Sequence, residues 1–586
     1  MKLSKDVIDE IKGLALKNAV DHGGKALPGP VMSKILGRHP ELRPMARELI
    51  KIVNEIVSSI NKLSLEEQMK LLRENYPNLL EEKRVSEKKG LPPLPNAEKY
   101  KLIKTRFAPN PDFFIHLGNA RPAILSYEYA KMYKGRMILR FEDTDPKNKP
   151  PLPEAYRAIR EDLKWLGIKW DEEYIQSLRL EVFYEVAKEL IKRGGAYVDL
   201  CSQNEFRKYK LERKPCPHRN QEPERNLELF DKMLEGYFEE GEAVLRVKTD
   251  LKHPDPSVID WVAFRIVNTD KHPHPLIGSK YIVWPTYNFA AAVDDYLLRV
   301  THILRGKEHA VNTIKQKFLY DHLGWEYPEV VHVGRLKLEG FILSKSKIKE
   351  LISKFRRKFK GPDDPRFATI AALRNRGIEA EAIRQLILGI GVKGVDVSIS
   401  WDNLASINRK LIDPKTPRVM VIRNPVKLIV EGYEGPTKLT LPLHPDNKGL
   451  GFRSINLDVK GAKVEFYIER KDLELIRSSG GVRLMECCNV SLVNITDGEV
   501  VTKYIGTDLK QAKDLGFKII HWVPFNDNVR VKVLITEGLK LRVEEGVGEP
   551  YLRYAKVGSK YQFVRFGFVK VEKVRKDGLI ALLIHD

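Results

Sequence analysis

The chain has 586 residues, enough for several domains. Its formal net charge of +22 points to a polyanionic partner, with RNA or DNA ahead of a membrane surface. Four cysteines exclude a disulfide framework, no apolar run is long enough to span a bilayer, and the opening MKLSKDVIDEIKGLALKN reads as neither signal nor transit peptide, so a soluble cytoplasmic protein is expected.

Residues 1–98 read as helices. Val7, Ile11, Leu14 and Leu16 share one face, and Ala46, Leu49, Ile50, Val53, Ile56, Val57 and Ile60 another. The segment GGKALPGP (Gly23 to Pro30) separates helices, and Ser64 followed by Glu67 predicts a capping box. The basic, proline-containing stretch Lys83 to Pro95 reads as a linker.

From residue 99 the pattern becomes βαβ. A strand over Tyr100 to Phe107 leads into a loop with Pro109 and Pro111, then His116-Leu117-Gly118-Asn119, a helix to about Tyr133, and a strand Arg136 to Phe141 ending at Glu142-Asp143. Parallel sheets bind ligands at their strand carboxyl ends, near helix N-termini. Gly118 lets a base or ribose approach the backbone, and His116 can donate to a phosphate whose charge grows in a transition state. The competing reading is a plain strand–helix turn with a capping histidine. Helices are expected over Glu154 to Leu166 and Leu178 to Arg193, the second stopped by Gly194-Gly195.

Ala196 to Lys280 is less regular and reads as a small inserted domain with strands at Ala243 to Val247 and Val258 to Ile266. Cys201, Cys216 and His218 form an incomplete zinc set that Asp199 would complete; two thiols beside an ordinary loop histidine is the alternative. The parallel pattern is expected to resume with a strand Tyr281 to Val283, a turn at Pro285 and a helix through Leu298, and a strand Val300 to Leu304 with Arg305 just past its end. An arginine there suits a carboxylate or phosphate. After a strand Val330 to Val333, Leu343 to Lys347 is a small, cationic loop able to bend over a triphosphate. Residues 348–412 read as helical. Beyond Arg418 come alternating strands that predict one or two antiparallel barrels, a scaffold that commonly binds single-stranded nucleic acid.

In that order, RFAPNPDFFIHLGNAR, LRFEDTDP, WPTYNFAAAVDDYLLRVTHILRGKEH, ILSKS and WDNLASINRKLIDP resemble the class I glutamyl-tRNA synthetases of the archaeal type, which are close to glutaminyl-tRNA synthetases. The resemblance covers essentially the whole chain. It implies an α/β multidomain fold: an N-terminal helical domain (1–98), a Rossmann-type parallel-sheet catalytic domain (99–197 and 281–347) with an inserted acceptor-stem domain (198–280), a helical connector (348–412) and anticodon-binding β-barrels (413–586). It implies formation of glutamyl-adenylate from L-glutamate and ATP with Mg²⁺, then transfer to the 3′ end of tRNA(Glu). Charging of tRNA(Gln) stays open, as does a structural Zn²⁺.

By the same resemblance, His116, Asn119 and Lys345 are the catalytic set. Pro111, His116, Gly118, Asn119, Ser344 and Lys345 hold ATP, and Arg106, Glu142, Tyr287 and Arg305 hold glutamate. The chain departs from the family's HIGH and KMSKS signatures at Asn119, which cannot carry charge, and at Ile342, which leaves Lys345 most of that loop's charge. Ala291 stands where relatives often have a polar pocket residue. Glutaminyl relatives lack an arginine at the place of Arg305, so this residue favours glutamate over glutamine. The alternatives are a glutaminyl-tRNA synthetase and a non-catalytic tRNA-binding paralogue.

Overall fold

The computed structural model describes residues 4–21, 23–76, 90–496 and 498–586. The chain divides into two compact units, Met1–Pro92 and Pro93–Asp586.

In the first unit, helices Lys5–Asp21, Pro28–Arg38, Ala46–Ile60 and Leu65–Asn75 bury Ile11, Leu14, Ile35, Val53, Val57 and Leu72 in one core. The periodicity read from the sequence is what packs. The capping box is present: Ser64 Oγ accepts from Glu67 N at 3.3 Å, and Glu67 Oε2 accepts from Ser64 N at 2.7 Å. The linker expected over Lys83 to Pro95 lies mostly outside the described residues.

The second unit is built on a five-stranded parallel sheet. Its strands are β1 (Lys104–Phe107), β2 (Arg136–Phe141), β3 (Glu172–Ile175), β8 (His302–Gly306) and β9 (Glu329–Val333), in the order β3-β2-β1-β8-β9. β2 is buried from Met137 to Phe141, on both faces of the sheet, and its sequence is apolar there except for Arg140. The order reverses between β1 and β8, so the carboxyl ends of β1, β2 and β8 face one crevice.

Four further strands, β4 (Ala196–Asp199), β5 (Val244–Val247), β6 (Val262–Ile266) and β7 (Val283–Pro285), form an antiparallel sheet inserted between β3 and β8. This corrects the parallel strand expected over Tyr281 to Val283. The strand lies over Val283–Pro285 and pairs antiparallel with β6, where Pro285 is tolerated because β7 is an edge strand. The core of this region joins Phe264 of β6 and Trp284 of β7 to Phe289 of the following helix.

Other boundaries move: the strands expected over Tyr100 to Phe107 and Val258 to Ile266 are Lys104–Phe107 and Val262–Ile266. The strand expected over Val300 to Leu304 is His302–Gly306, so Arg305 lies within β8 rather than past it. The loop expected over Leu343 to Lys347 ends early: Lys345 opens the helix Lys345–Lys354, with Ser344 as its N-cap.

Helices Ile370–Arg376, Ala380–Ile390 and Trp401–Ile412 follow. Gly377 ends the first of them with a φ of 107°, a left-handed position where a Cβ would also strike Ile584 Cδ1 at 2.8 Å. Two seven-stranded sheets complete the chain, each around its own apolar core. Val529, Val531, Val533 and Ile535 point inward while Arg530 and Lys532 point out, the period of two expected of a half-buried strand. The hairpins are antiparallel. Parallel pairs join Pro425–Glu431 to Glu499–Gly506 and Val529–Glu537 to Gly578–His585, where strands distant in sequence meet. Cys487 and Cys488 are buried in the first of these cores as free thiols.

Candidate active site

The helix Leu117–Met132 begins at the crevice, and its N-terminus is closed by two of the expected site residues. His116 Nδ1 accepts from Gly118 N at 3.1 Å, and Asn119 Oδ1 accepts from His116 N at 3.2 Å. This reciprocal cap fixes the imidazole with Nδ1 as acceptor, so Nε2 carries the proton. Burial pushes the His116 pKa down to about 4, with the nearby Lys345 ammonium adding to the shift. The ring is therefore neutral at pH 7 and acts as a donor, not a cation. Gly118 is held to glycine by the same ring: a Cβ would sit 2.9 Å from His116 Cε1.

Lys345 reaches this corner from 229 residues later in the chain, by way of the Lys345–Lys354 helix. Its Nζ donates to the Asn110 carbonyl at 3.0 Å and to Asp112 Oδ1 at 3.0 Å. Pro111 lies between those two acceptors and its carbonyl takes Leu152 N at 2.9 Å. Ser344 Oγ lies 3.0 Å from Ser346 Oγ. His116, Asn119, Pro111 and Lys345 are thus brought together around one loop. That loop is tied to the end of β2, because Glu142 N donates to the Pro109 carbonyl at 3.1 Å.

The second corner is a chain of buried charges. Arg106 of β1 donates through Nε to Asp295 Oδ1 at 3.2 Å. Arg140 of β2 donates to the same oxygen at 2.7 Å and to Glu142 Oε1 at 3.0 Å. Burial works against the Asp295 carboxylate, but Arg106 and Arg140 overcome it and hold its pKa below the ordinary value. Burial pushes the Glu142 carboxyl up, opposed by Arg140 and Arg106. Tyr287, the first residue of helix Tyr287–Leu297, stands among Glu142, Arg305 and Arg106. Burial raises its hydroxyl pKa, and Glu142 adds to the rise.

Arg305 differs from Arg106 and Arg140. It is 5 % exposed and has no carboxylate within 4.0 Å among the described residues. Its Nη1 donates to Gln316 Oε1 at 3.1 Å, and its Nη2 to Thr313 Oγ1 at 2.7 Å and Tyr327 OH at 3.0 Å. Its Nε is buried without a partner. A buried, uncompensated guanidinium with a spare donor is suited to an anionic group brought by a ligand.

Residues 102–414 match the family model for the catalytic domain of class I tRNA synthetases (E and Q). Residues 416–508 and 519–572 match two models for anti-codon binding domains of the same class. The chain belongs to the class I tRNA synthetases of the E and Q group. Among its curated relatives in this group, the glutamate–tRNA ligase of Hyperthermus butylicus is 55% identical over 96% of this chain and 97% of that protein. Those of Ignicoccus hospitalis and Staphylothermus marinus are 52% and 49% identical, over 98% and 97% of this chain and 98% and 100% of those proteins.

The same region contains residues that were not among the expected site residues. Arg140 and Asp295 are central to the charge chain, and Asp112, Thr313, Gln316 and Tyr327 hold Lys345 and Arg305. Two of them left a signal. Arg140 is an arginine inside the buried strand RMILRF, and Asp295 is an aspartate in the alanine-rich helix run FAAAVDD. Charges in such positions need partners.

The inserted region holds the third cluster. Asp199, Cys201, Cys216 and His218 place one ligand atom each within 4.8 Å of one another. Cys201 Sγ lies 3.4 Å from His218 Nδ1, Cys216 Sγ 3.7 Å from Asp199 Oδ1, and His218 Nδ1 3.2 Å from the same oxygen. Arg246 Nε holds the other Asp199 oxygen at 2.6 Å. Among the described residues no helix is long and apolar enough to cross a membrane.

Proposed function

We propose that this protein is a glutamate–tRNA ligase. It activates L-glutamate with ATP to glutamyl-adenylate and pyrophosphate, then passes the glutamyl group to the 3′-terminal adenosine of tRNA(Glu). The observation that carries the amino acid is Arg305, a buried cation whose protein partners are all neutral. The glutamate–tRNA ligases matched over nearly the full chain support the same reading.

In this reading the nucleotide lies over the His116–Asn119 cap. ATP's α-phosphate meets the Leu117–Met132 helix N-terminus and the His116 Nε2–H, which strengthens its hold as charge develops. ATP would be taken as its magnesium complex, the cation supplying further charge compensation to the phosphates. Lys345 leaves Asn110 and Asp112 to stabilise the pyrophosphate as it departs, and Ser344 and Pro111 shape the loop around it. No nucleophilic side chain is needed, because the glutamate carboxylate and then a ribose hydroxyl do the attacking; the site positions them and balances charge. Glu142 takes the glutamate ammonium, Tyr287 lines the pocket, Arg106 faces a carboxylate and Arg305 binds the γ-carboxylate. Against glutamine, Arg305 would be left as an unpaired buried charge.

The inserted region holds the acceptor end and the barrels the anticodon, in a cytoplasmic protein. Zinc fits the Asp199, Cys201, Cys216 and His218 set. The three separations of 3.2–3.7 Å about Asp199 and His218 are close to the edges of a tetrahedron with ligand bonds of about 2.0–2.3 Å, and a cation there would neutralise the crowding of two thiols against a carboxylate. The ion would staple the loop after β4 to the Cys216–His218 turn.

Aminoacylation of purified tRNA(Glu) and tRNA(Gln) transcripts with glutamate and with glutamine tests the assignment. Charging of tRNA(Glu) with glutamate and not glutamine is expected. Glutamine as the better substrate would overturn the reading, and charging of tRNA(Gln) with glutamate would make the enzyme non-discriminating.

A further inference from the structure

Five charged side chains occupy the amino-acid pocket. Arg106, Arg140 and Arg305 are the cations, and Asp295 and Glu142 the anions. The adjacent Asp294 is spent on Arg179 at 3.0 Å, and Glu308 faces Arg335 at 3.6 Å. The two histidines nearby stay neutral, His309 because burial and Arg305 push its pKa down to about 4, and His332 because burial lowers it. The pocket therefore carries one positive charge in excess. Glutamate, with two carboxylates and one ammonium, brings one net negative charge; glutamine brings none.

That excess depends on what holds Arg305. Gln316 is fully buried on the helix Ala310–Leu323, and its Oε1 accepts both Arg305 Nη1 at 3.1 Å and Tyr327 OH at 2.6 Å. A glutamate side chain has the same size and could make both contacts, yet it would pair the guanidinium and cancel the excess charge. An amide fixes the guanidinium while leaving its charge unspent.

We propose that Gln316 is a specificity-determining positioning residue: by holding Arg305 through a neutral acceptor it keeps the pocket one charge positive, and so selects an amino acid with an anionic side chain over its amide. This rests on the reading of Arg305 as the γ-carboxylate partner.

The test is kcat/KM for glutamate and for glutamine in aminoacylation of tRNA(Glu), with the full-length protein and Q316E, Q316L and T313D. Q316E adds a carboxylate at the same volume; Q316L removes the acceptor without adding charge; T313D adds a carboxylate at the Nη2 end. The glutamate-to-glutamine ratio is expected to fall by about 10²-fold or more in Q316E and T313D, and by less than about 10-fold in Q316L. A wild-type ratio in a folded Q316E overturns the inference. So does a shift in Q316L as large as in Q316E, because lost positioning and not charge would then be the cause. Should Q316E fail to fold, T313D alone decides by the same criterion. Wild-type protein that does not use glutamate would defeat the functional reading instead, which separates the two failures.

Discussion

Arg305 and Lys345 show how one side chain's surroundings set its use. Arg305→Ala removes a buried cation whose protein contacts are neutral, so its loss should fall on the substrate and not on folding. We expect kcat/KM for glutamate to drop by about 10²–10³-fold with ATP binding changed little; an unchanged kcat/KM for glutamate would remove the basis for the amino-acid assignment. Lys345→Ala should act differently. Its ammonium is held by Asn110 and Asp112, and in the proposed mechanism its contribution appears when pyrophosphate departs. A fall in kcat of about 10²-fold with the KM for glutamate nearly constant is expected from steady-state kinetics, and a pure KM effect would refute this role. His116, Asn119 and Lys345 were visible in the sequence because they sit in ordered signatures. Gln316 was not. A glutamine on a helix acquires its role only from partners on neighbouring elements, here Arg305 of β8 and Tyr327.

At the scale of elements, two buried groups test how helices and loops are joined. Asp162 lies on the helix Pro153–Trp165, 1 % exposed, with Arg374 Nη2 at 3.4 Å. Burial pushes its carboxyl up to about 7, against the opposing pull of Arg374. The folded state thus holds the Asp162 proton more tightly than the unfolded chain. Its contribution is fully present below the unfolded pKa near 4 and is lost as pH rises toward 7. Asp162→Asn should remove that loss. Its melting temperature is expected to exceed that of the wild type at pH 8 and to match it near pH 4, a difference on the order of 1–3 kcal/mol at pH 8. A lower melting temperature than wild type at pH 8 would contradict the assignment. The cysteine cluster belongs to the same scale. Elemental analysis should find about one zinc per chain, lost in Cys216→Ser, and a strong chelator should lower the melting temperature. Protein that folds and charges tRNA with no bound metal would exclude a structural zinc. Its four residues were already paired two by two in the sequence, as D-x-C and C-x-H. The fold adds that β4 and the following turn bring the pairs within 4.8 Å.

For the whole molecule, the excess of 22 positive charges should be read out in RNA binding. Neutralising several phosphates releases counterions, so raising salt from 50 to 200 mM should weaken tRNA binding by roughly 10²-fold or more. A dissociation constant insensitive to salt would mean that the charge serves something else. The sequence by itself determined the kind of elements and their order, because helical and strand periodicities, caps and glycine stops are local: Ser64 with Glu67, Gly194 after Arg193, and the alternating Val529 to Ile535 all behave as read. It also identified the family's signatures. Only the tertiary structure decided which sheet Val283–Pro285 joins, that Arg305 lies inside β8, and that Asp295 joins Arg106 to Arg140. Those are questions of pairing between separate segments of the chain or of partners across a buried crevice. No local pattern encodes them, because burial and the neighbouring charges exist only once the chain has closed on itself.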